Sequence, residues 1–304
     1  MAVMRRRLRG VLKNYELFLF FAPAFAYFLI FNYIPMYGVQ IAFKDFNARA
    51  GILSSPFVGL KHFIRFFNLP TSWELIENTL SLSIFSLLVG FPVPILLALS
   101  LNEMKAKRFK RVVQTVSYAP HFISTVVLVS MIGIFGHKDY GIFNKITSLW
   151  GAESVSFMSK RTWFRSIYVL SGVWQSAGWN SIVYMAALAG IDPQLHESAM
   201  IDGATRLQRI RHINLPSILP TIALLFVLQS GSLMSVGFEK AFLMQNAVNL
   251  EVSEVISTYV YKVGLLNTQF SFSAAVGLFN SVVNCVLLLL TNFVSRKLTG
   301  SGLF

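Results

Sequence analysis

The sequence predicts an all-α, polytopic transmembrane helical bundle of six spans, and three observations point to it. Of 304 residues, 55% are hydrophobic and 13% are charged. A soluble globular protein carries about 25% charged residues, so lipid is the main solvent of this chain. Six stretches reach the roughly 20 apolar residues that a crossing of the hydrocarbon core requires: 17–39, 78–101, 112–135, 167–189, 218–237 and 273–294. None holds a Lys or Arg near its middle, where a charge costs about 2.5–3.5 kcal/mol even on insertion scales.

The first span follows Arg5, Arg6, Arg7, Arg9 and Lys13. Its apolar run is too long for a cleaved signal, whose core is about 7–15 residues, so it is expected to stay as an anchor behind a 1–16 tail. The second contains Pro92 and Pro94 and the third Pro120, places where a membrane helix either kinks or tolerates the missing donor. The fourth holds Trp174, Gln175, Trp179 and Asn180, the fifth has Gly231 and Gly237 in or beside it, and the sixth holds Asn280, Asn284 and the single cysteine, Cys285. One cysteine excludes an internal disulfide framework or a cysteine metal site. No repeat or low-complexity linker divides the chain, and residues 1–304 form one domain.

Charge placement sets the expected orientation. Fifteen of the 26 Lys and Arg residues lie in the N-terminal tail, the 102–111 loop, the 190–217 loop and the C-terminal tail. The positive-inside rule then puts both termini in the cytoplasm. The net charge of +13 is therefore a topology signal, and a nucleic-acid partner is not expected. The opposite 40–77 loop holds Phe57, Phe63, Phe66, Phe67 and Trp73, an aromatic set suited to the headgroup level. The 136–166 and 238–272 loops are expected to be lids or interface segments without chemistry.

The 191–216 loop between the fourth and fifth spans has the most definite local grammar. Asp192 followed by Pro193 is an N-cap acid with proline at the first helical position. Gly203 is a natural helix stop because it tolerates positive φ. Thr205 and Gln208 then form a T-x-x-Q capping box for a second helix. Leu207, Ile210 and Ile213 share one face of that helix, and Pro216 and Pro220 mark its passage into the fifth span. On these signals alone it is a capped helix pair at the cytoplasmic surface, either a plain connector or a mechanical joint.

This segment resembles the EAA loop of bacterial ABC importer permeases, whose pattern is Glu-Ala-Ala, three residues, Gly, nine residues, then Ile-x-Leu-Pro. Here the residues are Glu197-Ser198-Ala199, Gly203, and Ile213-Asn214-Leu215-Pro216, with Ser198 in place of the usual Ala. Asp202-Gly203-Ala204 fits the sugar-importing branch of that family. So do Gly59 to Phe63, Val236 to Asn246, Val252 to Tyr261 and the tail near Arg296-Lys297-Leu298. The resemblance covers nearly the whole chain and implies the type I ABC importer permease fold. It also implies that the first helix of the loop docks on a nucleotide-binding subunit, with Glu197 facing the ATPase and Gly203 permitting the turn. The implied partners are a second homologous permease, a dimer of ABC ATPases, an extracellular solute-binding protein, the lipid bilayer and an oligosaccharide substrate.

The chain has no G-x-x-x-x-G-K-[ST] phosphate loop, so ATP hydrolysis is expected on separate subunits and no cofactor or metal is implied. H-E-x-x-H and G-x-S-x-G are also missing, and the five His residues are scattered. An ion-coupled secondary transporter of a small polar solute is the alternative. It would place acidic relays within spans, whereas Glu16, Glu103 and Glu239 sit at span edges. Candidate substrate-path residues are Trp174, Gln175, Trp179 and Asn180 in the fourth span, Gln229, Ser230 and Ser232 in the fifth, and Asn280 and Asn284 in the sixth. Amides and indoles suit the hydroxyls and C–H faces of sugars. The same residues equally serve as interhelical hydrogen-bond glue. An anionic sugar would find counter-charge at the mouth in Lys240 and Lys262.

Overall fold

The computed structural model describes residues 15–300 together with Gly302 and Leu303. The basic residues Arg5 to Lys13, and with them nearly all of the 1–16 tail, lie outside the described residues. What is described is helical, apart from connections and one antiparallel bridge between Lys44 and Phe57.

Four helical runs are long and apolar enough to cross a membrane: Tyr15–Phe43, Ser72–Asn102, Arg206–Ser230 and Phe270–Lys297. A bent pair, Lys107–Phe122 and Thr125–Phe135, supplies a fifth if taken as one span. The sixth segment is the 29-residue helix Arg161–Ala189. At 1.5 Å per residue it is about 43 Å long, and its Trp, Gln, Ser and Asn residues make it more polar than those four runs. The arrangement is compatible with six spans; the second and fourth begin six residues earlier than expected above, at Ser72 and Arg161, and the third and fifth depart further.

The 112–135 stretch is not straight. Its two halves meet at 101°. Pro120 has no N–H to continue the ladder and its ring opposes the carbonyl one turn back, so Ala119–Phe122 tightens into a 3-10 turn. Ser124 then caps a new helix, its Oγ accepting from the Val127 N–H at 3.4 Å. The carbonyl of Ile123, freed by the break, accepts from Gln175 Nε2 of the fourth span at 2.7 Å.

The fifth span begins at Arg206 rather than 218 and stops at Ser230 rather than 237. Pro216 and Pro220 do not separate the loop helix from the span. The backbone widens into a π segment at Ile210–Asn214, where the Leu215 N–H donates to the Ile210 carbonyl, and the helix continues as Leu215–Ser230. A π turn is a common way to absorb a lost donor inside a helix. Beyond Ser230 the chain turns through residues 231–234.

Three buried clusters hold the bundle. Toward the 191–216 loop, Ile95, Ala98, Leu99, Tyr184, Leu188 and Ile218 join the second, fourth and fifth spans. Toward the opposite end, Leu82, Phe164, Tyr168 and Val169 pack against Val236, Ala241, Met244 and Val255. A third cluster sets Phe66 and Leu75 against Met234, Ile256, Phe272 and Val276. The fourth span is central to two of these, and it touches the Lys107–Phe122 helix backbone to backbone. A Cβ at Gly178 would fall inside the Ser117 carbonyl.

Close approach of this kind tolerates no added methyl, whereas a Cβ at Gly277 of the sixth span would meet nothing within 4 Å. Gly178→Ala should therefore lower the stability of the solubilised protein by about 1–3 kcal/mol, the usual range for overpacking. Gly277→Ala should be neutral or slightly stabilising. Thermal midpoints of the two variants in detergent check this, and equal midpoints would contradict the packing.

Candidate functional site

The 191–216 loop is built as its residues dictate. Asp192 caps helix Pro193–Ile201, its Oδ1 accepting from the Gln194 N–H at 3.0 Å. The helix ends in a Schellman turn: the Gly203 N–H donates to the Met200 carbonyl at 3.1 Å, and the Ala204 N–H to Ala199 at 2.9 Å. That turn puts Gly203 at φ +76°, a conformation that costs other L-residues about 1–2 kcal/mol. Thr205 and Gln208 close the expected capping box, with Thr205 N–H to Gln208 Oε1 at 2.7 Å and Gln208 N–H to Thr205 Oγ1 at 3.4 Å. Helix Pro193–Ile201 has no buried residue. Glu197, Ser198, Asp202 and Gly203 are exposed, Ala199 and Ala204 partly so. Leu195, Met200 and Leu207 are also open to solvent, and Ile201 is 87% exposed.

Where the loop meets the bundle, a polar clamp holds it. Arg209 donates to Glu103 Oε2 at 3.2 Å, with only 14% and 16% of the two side chains exposed. Asn214, fully buried, donates from Nδ2 to Glu103 Oε1 at 3.3 Å. Glu103 lies in the turn after the second span. The clamp therefore ties that turn to the π segment of the fifth helix. Ile213 is half-buried beside it, while Leu215 and Pro216 face outward.

Two cavities open along the second, fourth and fifth spans. One, of about 340 Å³, is lined by Gly90, Phe91, Pro94, Asn180, Tyr184 and Gln229, among others. The other, of about 210 Å³, is lined by Ser83, Ser86, Tyr168, Gln229, Ser232 and Ser235, among others. Gln229 belongs to both, so the two are neighbours along one face.

The remaining polar candidates are placed differently. Gln175 serves the Ile123 carbonyl. Ser230 is buried, its Oγ donating to the Phe226 carbonyl at 2.7 Å. Asn284 ties the sixth span to the turn after the fifth, accepting from the Met234 N–H at 2.8 Å and donating to Ser235 Oγ at 2.9 Å. Trp179 stacks on His121 with centroids 4.5 Å apart. Trp174 is 49% exposed and lines neither cavity. Asn280 keeps a buried Oδ1 with no partner.

Residues 90–300 match the family model described as the binding-protein-dependent transport system inner membrane component. The chain belongs to this family. It is a membrane-embedded permease subunit of an ABC-type importer. Its sequence is 44% identical to the polygalacturonan/rhamnogalacturonan transport system permease protein YteP of Bacillus subtilis (strain 168), over 99% of this chain and 94% of that protein. It is 30% identical to the arabinooligosaccharides transport system permease protein AraP of the same organism, over 93% and 88%. A chain from the crystal structure of a bacterial ABC transporter involved in the import of the acidic polysaccharide alginate superposes with a TM-score of 0.89. That chain is 42% identical to this one, with 97% and 99% of the two covered. A chain from the crystal structure of the bacterial alginate transporter in complex with an alginate pentasaccharide-bound periplasmic protein gives the same TM-score, at 41% identity.

On the other side of the permease, residues 236–266 fold into the bundle rather than over it. The short helix Phe238–Met244 packs against Thr125–Phe135. Asn78 of the second span donates to the Glu251 carbonyl at 2.7 Å and accepts from Arg165 at 3.1 Å. Asn246 and Asn249 both donate to the Met158 carbonyl, at 2.8 and 3.1 Å. Lys262 is ion-paired to Glu254 at 2.7 Å. Lys240 is different: its ammonium donates to the Tyr168 carbonyl at 2.7 Å and stands 4.8 Å from the centre of the Tyr168 ring. Burial pushes its pKa down to about 8.

Sequence reasoning missed the clamp and the serines of the 210 Å³ cavity. The signal for the first was one acid, Glu103, at the head of a loop otherwise basic. The signal for the second was Ser83 and Ser86, three residues apart and so on one face of a span.

Removing one partner of a buried pair strands the other charge, at about 3–5 kcal/mol for a fully enclosed pair. Arg209→Met should fall toward the low end of that range, because Glu103 keeps some contact with water. The double variant Glu103→Leu with Arg209→Met should recover part of the loss. Unfolding of the solubilised variants measures both, and an additive double variant would show that the two side chains do not act as a pair.

Proposed function

We propose that this permease conducts an acidic oligosaccharide, one carrying uronic acid residues, into the cytoplasm. It would work with a second permease, two ATPase subunits and an extracellular binding protein. The observation that carries the substrate class is the likeness along nearly the full chain to permeases named for polygalacturonan/rhamnogalacturonan and to a transporter of alginate. The AraP likeness, at lower identity, supports oligosaccharides as the broader class. The solved complex of a close structural relative with a periplasmic sugar-bound protein supports a binding protein as donor. Both termini are assigned to the cytoplasm on the basic bias, and ATP hydrolysis to the partner subunits because the chain lacks a phosphate loop.

In this reading the 191–216 loop is the joint with the ATPases. Glu197, Ser198, Ala199, Asp202, Gly203 and Ala204 form the contact end, and Ile213, Leu215 and Pro216 the root. Exposed Leu195, Met200 and Ile201 beside Glu197 support a docked helix, since large apolar side chains grouped on a solvent-facing helix mark interaction surfaces. The translocation face is assigned to the cavities around Asn180 and Gln229, with Ser83, Ser86, Ser232 and Ser235 above. Gln175, Ser230 and Asn284 would hold helices in register, and Trp174, Trp179 and Asn280 would meet the sugar only in another conformation or beside the partner permease.

Two measurements test this. The cognate binding protein, titrated with oligogalacturonides and with neutral oligosaccharides of equal length, should prefer the acidic series; binding of neutral sugars alone would overturn the substrate class. Gly203→Val places a β-branched residue at positive φ where nothing crowds it. It should therefore distort the joint while leaving the bundle intact. Uptake by the reconstituted complex should fall at least about tenfold, the equivalent of roughly 1.4 kcal/mol, with copurification of the ATPases retained. Normal uptake would remove the loop from the coupling role.

A further inference from the structure

We propose that Lys240 is the charge that selects a carboxylate-bearing sugar at the outer end of the translocation face. This rests on the proposed acidic substrate and adds the residue that would recognise it.

Among the described residues, four cations of the outer half meet carboxylates: Lys61 with Asp45, Arg161 with Glu251, Arg165 with Glu77 and Lys262 with Glu254. Arg49, Lys138, Lys145 and Lys160 are exposed to solvent. Lys44 is spent on the carbonyls of Ile52 and Leu53. Arg65 lies over the Phe272 ring beside a different pocket. Lys240 is the largely buried one that has no carboxylate within ion-pair distance. A buried ammonium without an anion is unfavourable, and such a group is a candidate for function on physical grounds.

Its position is specific. Tyr168, whose carbonyl and ring hold the ammonium, lines the 210 Å³ cavity, and so does Gly237, three residues before Lys240. The cavity itself offers serine hydroxyls, the Gln229 amide and the Tyr168 ring, a set that reads sugar hydroxyls and ring faces but has no positive charge. Lys240 supplies that charge from behind Tyr168, through surroundings of low polarity that screen it weakly. Its four-carbon stem also lets the ammonium leave a neutral carbonyl for a carboxylate by rotamer change alone. A lysine that merely pinned Phe238–Met244 to the fourth span would need the carbonyl bond and no more. The test must separate these two roles.

The complete complex in proteoliposomes, supplied with trigalacturonate-loaded binding protein, is compared as wild type, Lys240→Arg and Lys240→Met. Lys240→Met should raise the half-saturating concentration at least about tenfold, the loss of one charge-assisted contact. Lys240→Arg, which keeps the charge but not the fit to the Tyr168 carbonyl, should stay within about threefold. If Arg is as poor as Met, the lysine is an anchor and the inference falls. A second measurement needs no variant: amine labelling of Lys240 in the wild-type complex, read by mass spectrometry. Labelling should slow with trigalacturonate and not with a neutral trisaccharide, and an unchanged rate overturns the inference even if Lys240→Met fails to assemble. Wild-type uptake of a neutral trisaccharide with none of trigalacturonate would instead overturn the acidic substrate class, and this inference with it.

Discussion

A helix that runs from water into lipid must keep every backbone donor and acceptor satisfied along the way, and much of this permease is arranged around how Arg206–Ser230 meets that demand. Two prolines lie in its path. An α-helix would lose two bonds and clash at each ring. The π segment at Ile210–Asn214 shifts the ladder by one residue before Pro216, so the capped loop helix and the fifth span remain one continuous element. At that same segment Asn214 and Arg209 grip Glu103. A push on the exposed Pro193–Ile201 helix therefore has a rigid continuation into the fifth span and a polar link to the turn after the second. Gly203 is the place where direction changes without flexibility, because the Schellman turn fixes both flanks.

The end of the bundle opposite the 191–216 loop solves the same backbone problem by another route. Residues 236–266 enter the bundle as short helices and turns, which have many unpaired main-chain groups. Side-chain amides replace the missing ladder: Asn78, Gln245, Asn246 and Asn249 bond to carbonyls and N–H groups of neighbouring segments. Thr79 accepts from the Ile256 N–H at 3.0 Å. Irregular backbone at this depth is tolerated where protein surrounds it or where it borders a water-filled cavity. Here it does both, since Val236 and Gly237 form part of the cavity wall.

What was legible in the sequence follows from how local each signal is. The cap at Asp192, the stop at Gly203 and the Thr205–Gln208 box depend on residues within one helical turn, and the structure has each of them. Helix existence was equally legible, because apolar runs are set by lipid. Boundaries were not. Pro120 and Pro216 are both prolines near a span, yet one breaks its helix and the other is absorbed. The difference is tertiary: Gln175 is on hand to take the carbonyl freed at Ile123, and Glu103 waits beside the widened turn at Asn214. Neither partner is near in sequence. Ser83 and Ser86 were visible as a face of the second span, but nothing local said which neighbour that face would meet.

The same distinction sorts the polar side chains within the spans. An amide in lipid must find a partner, and the first choice is a neighbouring backbone. Gln175, Ser230 and Asn284 have made that choice, and their hydrogen-bonding capacity is largely spent on the protein. Asn180 and Gln229 make no side-chain hydrogen bond among the described residues and face the cavities, as do Ser83 and Ser86. The translocation face proposed there must bind weakly, because a solute has to leave as readily as it enters. Unspent amides and hydroxyls separated by apolar wall meet that requirement for sugar hydroxyls. They do not meet it for a carboxylate, which needs a charge that is present but not permanently exposed. A lysine held on a neutral carbonyl behind the wall is a physical answer to that need, since a carboxylate, being ionised, is the stronger acceptor for an ammonium.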